Sequence, residues 1–264
     1  MVVRKRFGQH FLHDPGVIAR IVAAIKLQPG DVAVEIGPGR GALTAGLLQA
    51  AGQLDAVEID RDLAGLLRER FGADRGFVLH EGDALDIDWR ALAQARGAPL
   101  RLIGNLPYNI STPLLFRLLE SADAIADMHF MLQKEVVDRI VAAPGTAAYG
   151  RLTVMLAPRV ASLRVLDVGP GAFRPAPKVS SSLVRLRVID APWRISPFYA
   201  RVVAAAFGQR RKTLRNALHA YLSAAQISAL GLDPGIRAER LHPHEFAALA
   251  EAAALAQAPT AVLH

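Results

Sequence analysis

No cysteine occurs among the 264 residues. That excludes a disulfide framework, a thiolate metal site and a thiol nucleophile, and it fits a reducing, cytoplasmic setting. No stretch approaches the ~18 uninterrupted apolar residues of a membrane-spanning helix. The basic start, Met1 to Gly8, has no apolar run behind it and is not read as a secretory signal. Internal repeats and low-complexity tracts are missing too, apart from a general richness in alanine. Acidic residues are in deficit: 24 Asp and Glu face 31 Lys and Arg, a net charge of +7. Hydrophobic residues make up 52% of the chain and charged residues 21%, enough for a packed core and too apolar for intrinsic disorder. A soluble basic protein remains, with a polyanionic partner that is either nucleic acid or an anionic membrane surface.

Apolar runs alternate with amphipathic patterns over most of the length. Strands are expected at 32–36, 54–59, 76–80, 100–103 and 128–132, with helices at 42–51, 63–71 and 113–121. Such alternation predicts an α/β domain with a mostly parallel sheet and helices on both faces. Two further strands, 161–168 and 181–189, have no helix between them and are expected to pair antiparallel at one edge. The pattern then changes. Residues 190–197 carry two prolines and read as a linker, followed by helical patterns at 198–207, 212–222, 224–230 and 243–256. The predicted division is therefore an α/β domain over 1–189 and a small all-α domain over 190–264. Residues 185–264 hold ten basic and five acidic side chains, so the polyanion surface is assigned to the helical part.

Glu35-Ile-Gly-Pro-Gly-Arg-Gly41 follows the first of these strands and precedes a helix. Glycines at 37, 39 and 41 let the backbone turn tightly and approach a ligand without Cβ interference. The spacing is G-x-G-x-G, not the G-x-G-x-x-G of dinucleotide-binding loops. Glu58 falls at the end of the second strand, where a carboxylate can accept from both ribose hydroxyls. Asp83, after the third strand, is placed to reach an adenine amino group, with Ile59 and Ala84 beside these acids. Acids without a phosphate-binding lysine suit a ligand that has adenosine and positive charge but no phosphates. S-adenosylmethionine is such a ligand.

Asn105-Leu-Pro-Tyr108 follows the fourth strand, at the carboxyl edge where open α/β sheets bind ligands. Ser111 is expected to cap the next helix, with Pro113 in its first turn. An exocyclic amine on a nucleobase is a poor nucleophile, because its lone pair is delocalised into the ring. Two acceptors on its protons, the Asn105 side-chain oxygen and the Leu106 carbonyl, would free that lone pair. Pro107 keeps the loop rigid, and Tyr108 is placed to stack on a flipped base.

These motifs resemble the ribosomal RNA adenine dimethylase family, in its bacterial small-subunit branch. The resemblance runs nearly end to end, through Phe7-Gly-Gln-His-Phe-Leu12, Glu35 to Gly41, Glu58, Gly82-Asp83, Asn105 to Tyr108, Leu132-Gln-Lys-Glu-Val136, Phe173-Arg-Pro-Ala-Pro-Lys-Val179 and Phe207-Gly-Gln-Arg-Arg-Lys-Thr-Leu-Arg-Asn216. Ser180 departs from it, since the family often has Asp there. The resemblance implies donor contacts at Gln9, His10, Leu12, Gly37, Gly39, Glu58, Ile59, Asp83, Ala84 and Asn105. It implies base handling by Asn105, Leu106, Pro107, Tyr108 and Phe173. It also implies methylation of two adjacent adenosines in the 3′-terminal hairpin of 16S ribosomal RNA, in a late small-subunit assembly particle, by a monomer. Three rivals stand beside this reading: the 23S-modifying macrolide-resistance branch, a non-catalytic nucleic-acid-binding factor of the same fold, and a DNA adenine methyltransferase, which leaves the small basic helical domain unexplained.

Arg210, Arg211, Lys212 and Arg215 are expected to form an RNA-phosphate surface on a helix, in a stretch without acids from Arg201 to Asn216. A solvated helix face is the plainer alternative. His242-Pro-His244-Glu245 has the look of a metal cluster, but proline at the start of a helical pattern favours a capped helix start, and no metal is assigned. Phe173, between Pro170 and Pro175, is expected in a loop that presents it to a ligand.

Overall fold

The computed structural model describes residues 10–107, 110–189, 193–209 and 211–257. In chain order the elements are β1 (Phe11–Leu12), α1 (Pro15–Ile25), β2 (Val32–Ile36), α2 (Thr44–Ala51), β3 (Leu54–Glu58), α3 (Arg61–Phe71), β4 (Phe77–Glu81), α4 (Trp89–Arg96), β5 (Leu100–Asn105), α5 (Ser111–Leu119) and β6 (Ile125–Gln133). They continue as α6 (Lys134–Ile140), α7 (Arg151–Leu156), β7 (Val160–Val168), β8 (Phe173–Arg174), β9 (Ser181–Val188), α8 (Tyr199–Gly208), α9 (Leu214–Ala217), α10 (Ala224–Ala229) and α11 (Pro243–Ala256).

Seven strands form one sheet in the order β4-β3-β2-β5-β6-β9-β7. β2 to β6 pair in parallel and β9 runs antiparallel to β6. The expected α/β sheet is thus present, with β9 and the edge strand β7 side by side. Every residue of β3 and all but Val32 of β2 are buried, as a parallel sheet covered on both sides requires. Two buried aspartates of the sheet are paired with cations. Asp55 of β3 accepts from Arg96 at 2.8 and 2.7 Å and lies 2.6 Å from His80. Arg101 of β5 grips both oxygens of Asp127 on β6 at 3.0 Å and also donates to the Ile25 carbonyl at 2.9 Å. That clamp joins the start of two neighbouring strands to the end of α1. β1 and β8 make a separate antiparallel ribbon, with Leu12 opposite Phe173.

Local chemistry explains where several helices begin. Asp14, Asp60 and Asp88 cap α1, α3 and α4 by accepting from the backbone N–H of Val17, of Asp62 and Leu63, and of Ala91. Neither α1 nor α4 is among the expected helices. Pro15-Gly16 reads as a turn in isolation, yet Pro15 occupies the first helical turn, where its missing N–H costs nothing. Ser111 is not the cap of α5; it is the first helical residue, and the cap position belongs to Ile110.

The chain divides into two compact units, Met1–Val137 with Ser162–Val188, and Asp138–Ala161 with Ile189–His264. The second unit therefore includes an internal segment that the contiguous division at 189/190 assigns to the α/β domain. The core gives the reason: Tyr149 and Val154, from that segment, are buried with Tyr199, Val202, Phe246 and Leu249. The Tyr149 hydroxyl donates to the Leu241 carbonyl at 2.6 Å, and the Tyr199 hydroxyl to the Val154 carbonyl at 2.8 Å. Phe207 stacks on Phe246 with ring centres 5.5 Å apart. A cluster this apolar collects any segment able to fill it, regardless of chain order.

Candidate active site

In a parallel sheet the strands end at one edge, so the loops after β2, β3, β4 and β5 meet there. The strand order β4-β3-β2-β5 then places Asp83, Glu58, the 37–41 loop and Asn105 in that spatial sequence. A cavity of about 260 Å³ follows this edge. Its wall includes His10, Leu12, Gly37, Gly39, Glu58, Ile59, Asp83, Ala84, Asn105, Leu106, Pro107 and Phe173. Gln9, Tyr108 and Arg210 lie outside the described residues.

Gly37, Gly39 and Gly41 have φ of +66°, +59° and +75°, a region that L side chains rarely adopt. A Cβ on Gly39 would stand 3.2 Å from the Phe11 ring, so the loop also needs glycine for close packing. Glu58 is buried, its two oxygens accepting from the backbone N–H of Gly39 at 3.1 Å and of Asp60 at 3.0 Å. Burial raises its pKa, and these N–H donors oppose the rise. The carboxylate ties the end of β3 to the glycine loop, with further lone pairs for ligand hydroxyls. Glu35 is buried below the loop, accepting from the Thr44 hydroxyl at 2.6 Å. Burial, and after it the neighbouring Glu58, pushes its pKa up to about 7.

Asp83 accepts from the Leu85 N–H at 2.9 Å through Oδ1. Ile59 stays 49% exposed beside it, an apolar surface for the face of a planar base. The Asn105 amide donates from Nδ2 to the His10 carbonyl at 3.1 Å, which turns Oδ1 the opposite way as an acceptor. The Leu106 N–H donates to the Met131 carbonyl at 3.2 Å and holds that peptide in place. His10 is also 2.7 Å from the Pro175 carbonyl through Nδ1. The segment from 10 to 12 is therefore stitched both to the end of β5 and to the strand that carries Phe173.

Phe173 differs from expectation. It lies on β8 rather than in a loop, is 3% exposed, and belongs to the apolar core while also reaching the cavity wall. Proline flanks favour a loop locally, but pairing with Leu12 places it on a strand. Glu35, Arg40 and Phe11 are among the wall residues that the sequence does not mark as ligand contacts. Phe11 lies in the Phe7–Leu12 motif, and Glu35 and Arg40 lie in the Glu35–Gly41 loop.

In the helical unit Arg211, Lys212 and Arg215 are exposed. The helix expected over 212–222 is not formed as one element. A turn closes from Gln209 to Lys212, and α9 spans only Leu214–Ala217. Backbone bonds from Leu214 to Ile236 (2.8 Å) and from Arg215 to Pro234 (3.0 Å), with a bridge pairing Thr213 and Arg237, hold the stretch extended before the helix. That pairing brings exposed Arg237 alongside the basic turn, which no local pattern reveals. At His242 the backbone N–H donates to Glu245 Oε2 at 2.6 Å, so the acid caps α11.

Fold and cavity together define a Rossmann-like methyltransferase domain. The model of the family "Ribosomal RNA adenine dimethylase" matches residues 2–255, and the chain belongs to that family. It is 57% identical to a ribosomal RNA small subunit methyltransferase A of Aromatoleum aromaticum, over 93% of this chain and 92% of that protein. It is 52% identical to the protein of the same name from Pseudomonas fluorescens, over 94% and 93%. Among solved structures it resembles a dimethyladenosine transferase from Plasmodium falciparum (TM-score 0.77, 25% identity, 91% and 96% covered). It also resembles the 23S rRNA methyltransferase ErmE (TM-score 0.72, 28% identity, 92% and 99% covered).

Proposed function

We propose that the protein transfers methyl groups from S-adenosylmethionine to N6 of two adjacent adenosines in the 3′-terminal hairpin of 16S ribosomal RNA, giving N6,N6-dimethyladenosine. One observation carries this reading: a ribose acid, an adenine acid and an amine-polarising Asn105 stand in ligand order along one cavity. The small-subunit assignment draws on the 57% identity to a small-subunit enzyme, against 28% to ErmE. The 23S reading keeps the similar structure of ErmE in its favour. We further assign the substrate to a late small-subunit assembly particle and the activity to a cytoplasmic monomer. The net charge of +7 suits the RNA partner. Among the described residues no helix is long and apolar enough to cross a membrane.

The donor fits the cavity by chemistry: Glu58 for the ribose hydroxyls, Asp83 for the adenine amine, Ile59 and Ala84 against the ring, and Gly37 and Gly39 along the tail. His10 and Leu12 close the wall, with Gln9 assigned beside them by resemblance. S-adenosylmethionine supplies an electrophilic methyl on a sulfonium that is already a good leaving group. The protein's task is to position and polarise the amine. Asn105 Oδ1 and the Leu106 carbonyl accept the two N6 protons and draw the nitrogen toward tetrahedral geometry. Pro107 keeps that pair of acceptors rigid. Tyr108 stacks on the flipped base and Phe173 limits its far side. Each transfer releases one N6 proton to solvent, so after the first the amine retains one proton, held by one of the acceptors, and a lone pair for a second. Arg210, Arg211, Lys212 and Arg215 hold RNA phosphates, with Arg237 added by the bridge to Thr213. Labelled methyl transfer to undermethylated small subunits, large subunits and free 16S RNA in parallel tests the assignment. Labelling of large subunits alone would refute it.

A further inference from the structure

Among the described residues Arg40 is the one lysine or arginine on a cavity wall that otherwise presents the carboxyl groups of Glu35, Glu58 and Asp83. No carboxylate among the described residues pairs with it. Its guanidinium instead lies over the Phe11 ring, with Cζ 4.8 Å from the centroid. Phe11 also lines the cavity and packs against Gly39. The Arg40 carbonyl accepts a hydrogen bond from the Arg70 guanidinium. Backbone and side chain are both held before a ligand arrives, which lowers the ordering cost of using them.

We propose that Arg40 recognises the α-carboxylate of the methyl donor. The proposal rests on the donor-site reading above. With adenine at Asp83 beyond β4 and ribose at Glu58 on β3, the next strand along the edge is β2, whose loop carries Arg40. The amino-acid tail therefore lies over that loop. A carboxylate placed there, close to Glu35 and Glu58, is repelled unless a cation accompanies it. Arg40 supplies that cation in a planar fork that matches a carboxylate. The acids select the positive part of the ligand and Arg40 its negative end, so the site reads a zwitterionic tail rather than net charge.

Titration calorimetry on the full chain tests this with two ligands, S-adenosylmethionine and its decarboxylated analogue, which keeps the ammonium and lacks only the carboxylate. Arg40→Ala should weaken S-adenosylmethionine about tenfold, the low end for a bond to a charged group because Arg40 is exposed. The decarboxylated ligand should change by less than about twofold in the same variant, and Arg40→Lys should recover part of the loss for the carboxylate-bearing ligand alone. Equal losses for both ligands would mean that Arg40 acts only by bracing Phe11, and would overturn the proposal. So would no loss at all. A wild-type protein that bound neither ligand would overturn the donor-site reading itself, a result distinguishable from either of these.

Discussion

Glu58→Ala removes the carboxylate that joins the glycine loop to the end of β3. Its ligand role predicts a loss of roughly 1.5–3 kcal/mol in donor affinity, the range for hydrogen bonds to a charged acceptor. That corresponds to about 10–150-fold in Kd. The fold should suffer less. Alanine strands the N–H groups of Gly39 and Asp60, which now donate at 3.1 and 3.0 Å. It also relieves the burial of a carboxylate whose pKa is already raised. These effects oppose each other, so urea unfolding should show a stability loss of about 1–2 kcal/mol, smaller than the affinity loss. Glu58→Gln should not rescue binding, because its NH₂ faces one of two backbone donors. A pH series adds a second signature: wild-type affinity should weaken as pH falls through the raised pKa of Glu58, since a neutral acid is the poorer acceptor. The Ala variant should lack that component. Calorimetry with S-adenosylhomocysteine, beside unfolding curves for each variant, reads both quantities. Unchanged affinity in a folded Glu58→Ala protein would show that the ribose lies elsewhere.

Three further outcomes follow from the same geometry. Asn105→Ala should abolish most turnover with RNA binding nearly intact, and mass spectrometry of wild-type product should show dimethyladenosine; monomethyladenosine as sole end product with excess donor would contradict the two-acceptor pocket. Reversing Arg211 and Lys212 to Glu should weaken RNA binding and lower its salt slope by about 0.9 for each lost phosphate contact, while donor affinity stays unchanged; binding that survives at every salt concentration would make the basic turn a solvated surface. Glu35→Gln concerns stability of the ligand-free protein. Burial pushes the Glu35 carboxyl of the folded protein up from the ordinary 4.5 to about 7, so its favourable contribution is present below 4.5 and lost as pH rises through 7. The Gln variant, which keeps an acceptor for the Thr44 hydroxyl, should gain up to roughly 3 kcal/mol over wild type between pH 5 and pH 8.5. A gap between the two urea curves that does not widen with pH would contradict this.

The sequence alone determined the features that depend on local chemistry. Alternating apolar runs specify strands and helices, and glycines at 37, 39 and 41 mark a tight turn and a close backbone approach. Glu58, Asp83 and Asn105 are readable because each sits at or just beyond a strand end, and parallel strands bring their ends to one edge. Tertiary structure decided what depends on partners distant in the chain. Phe173 became a strand residue with one side in the core because β8 pairs with β1. The segment 138–161 joined the helical unit because Tyr149 and Val154 complete its core. The helix expected from Lys212 begins only at Leu214, because Thr213 pairs with Arg237 and the N–H groups of Leu214 and Arg215 bond to the carbonyls of Ile236 and Pro234. Arg40 acquired a role only once Phe11 was laid beneath it and three acids gathered on the same wall. In each case the local pattern permits several conformations, and burial or a long-range hydrogen bond, worth more than the propensity difference, selects one.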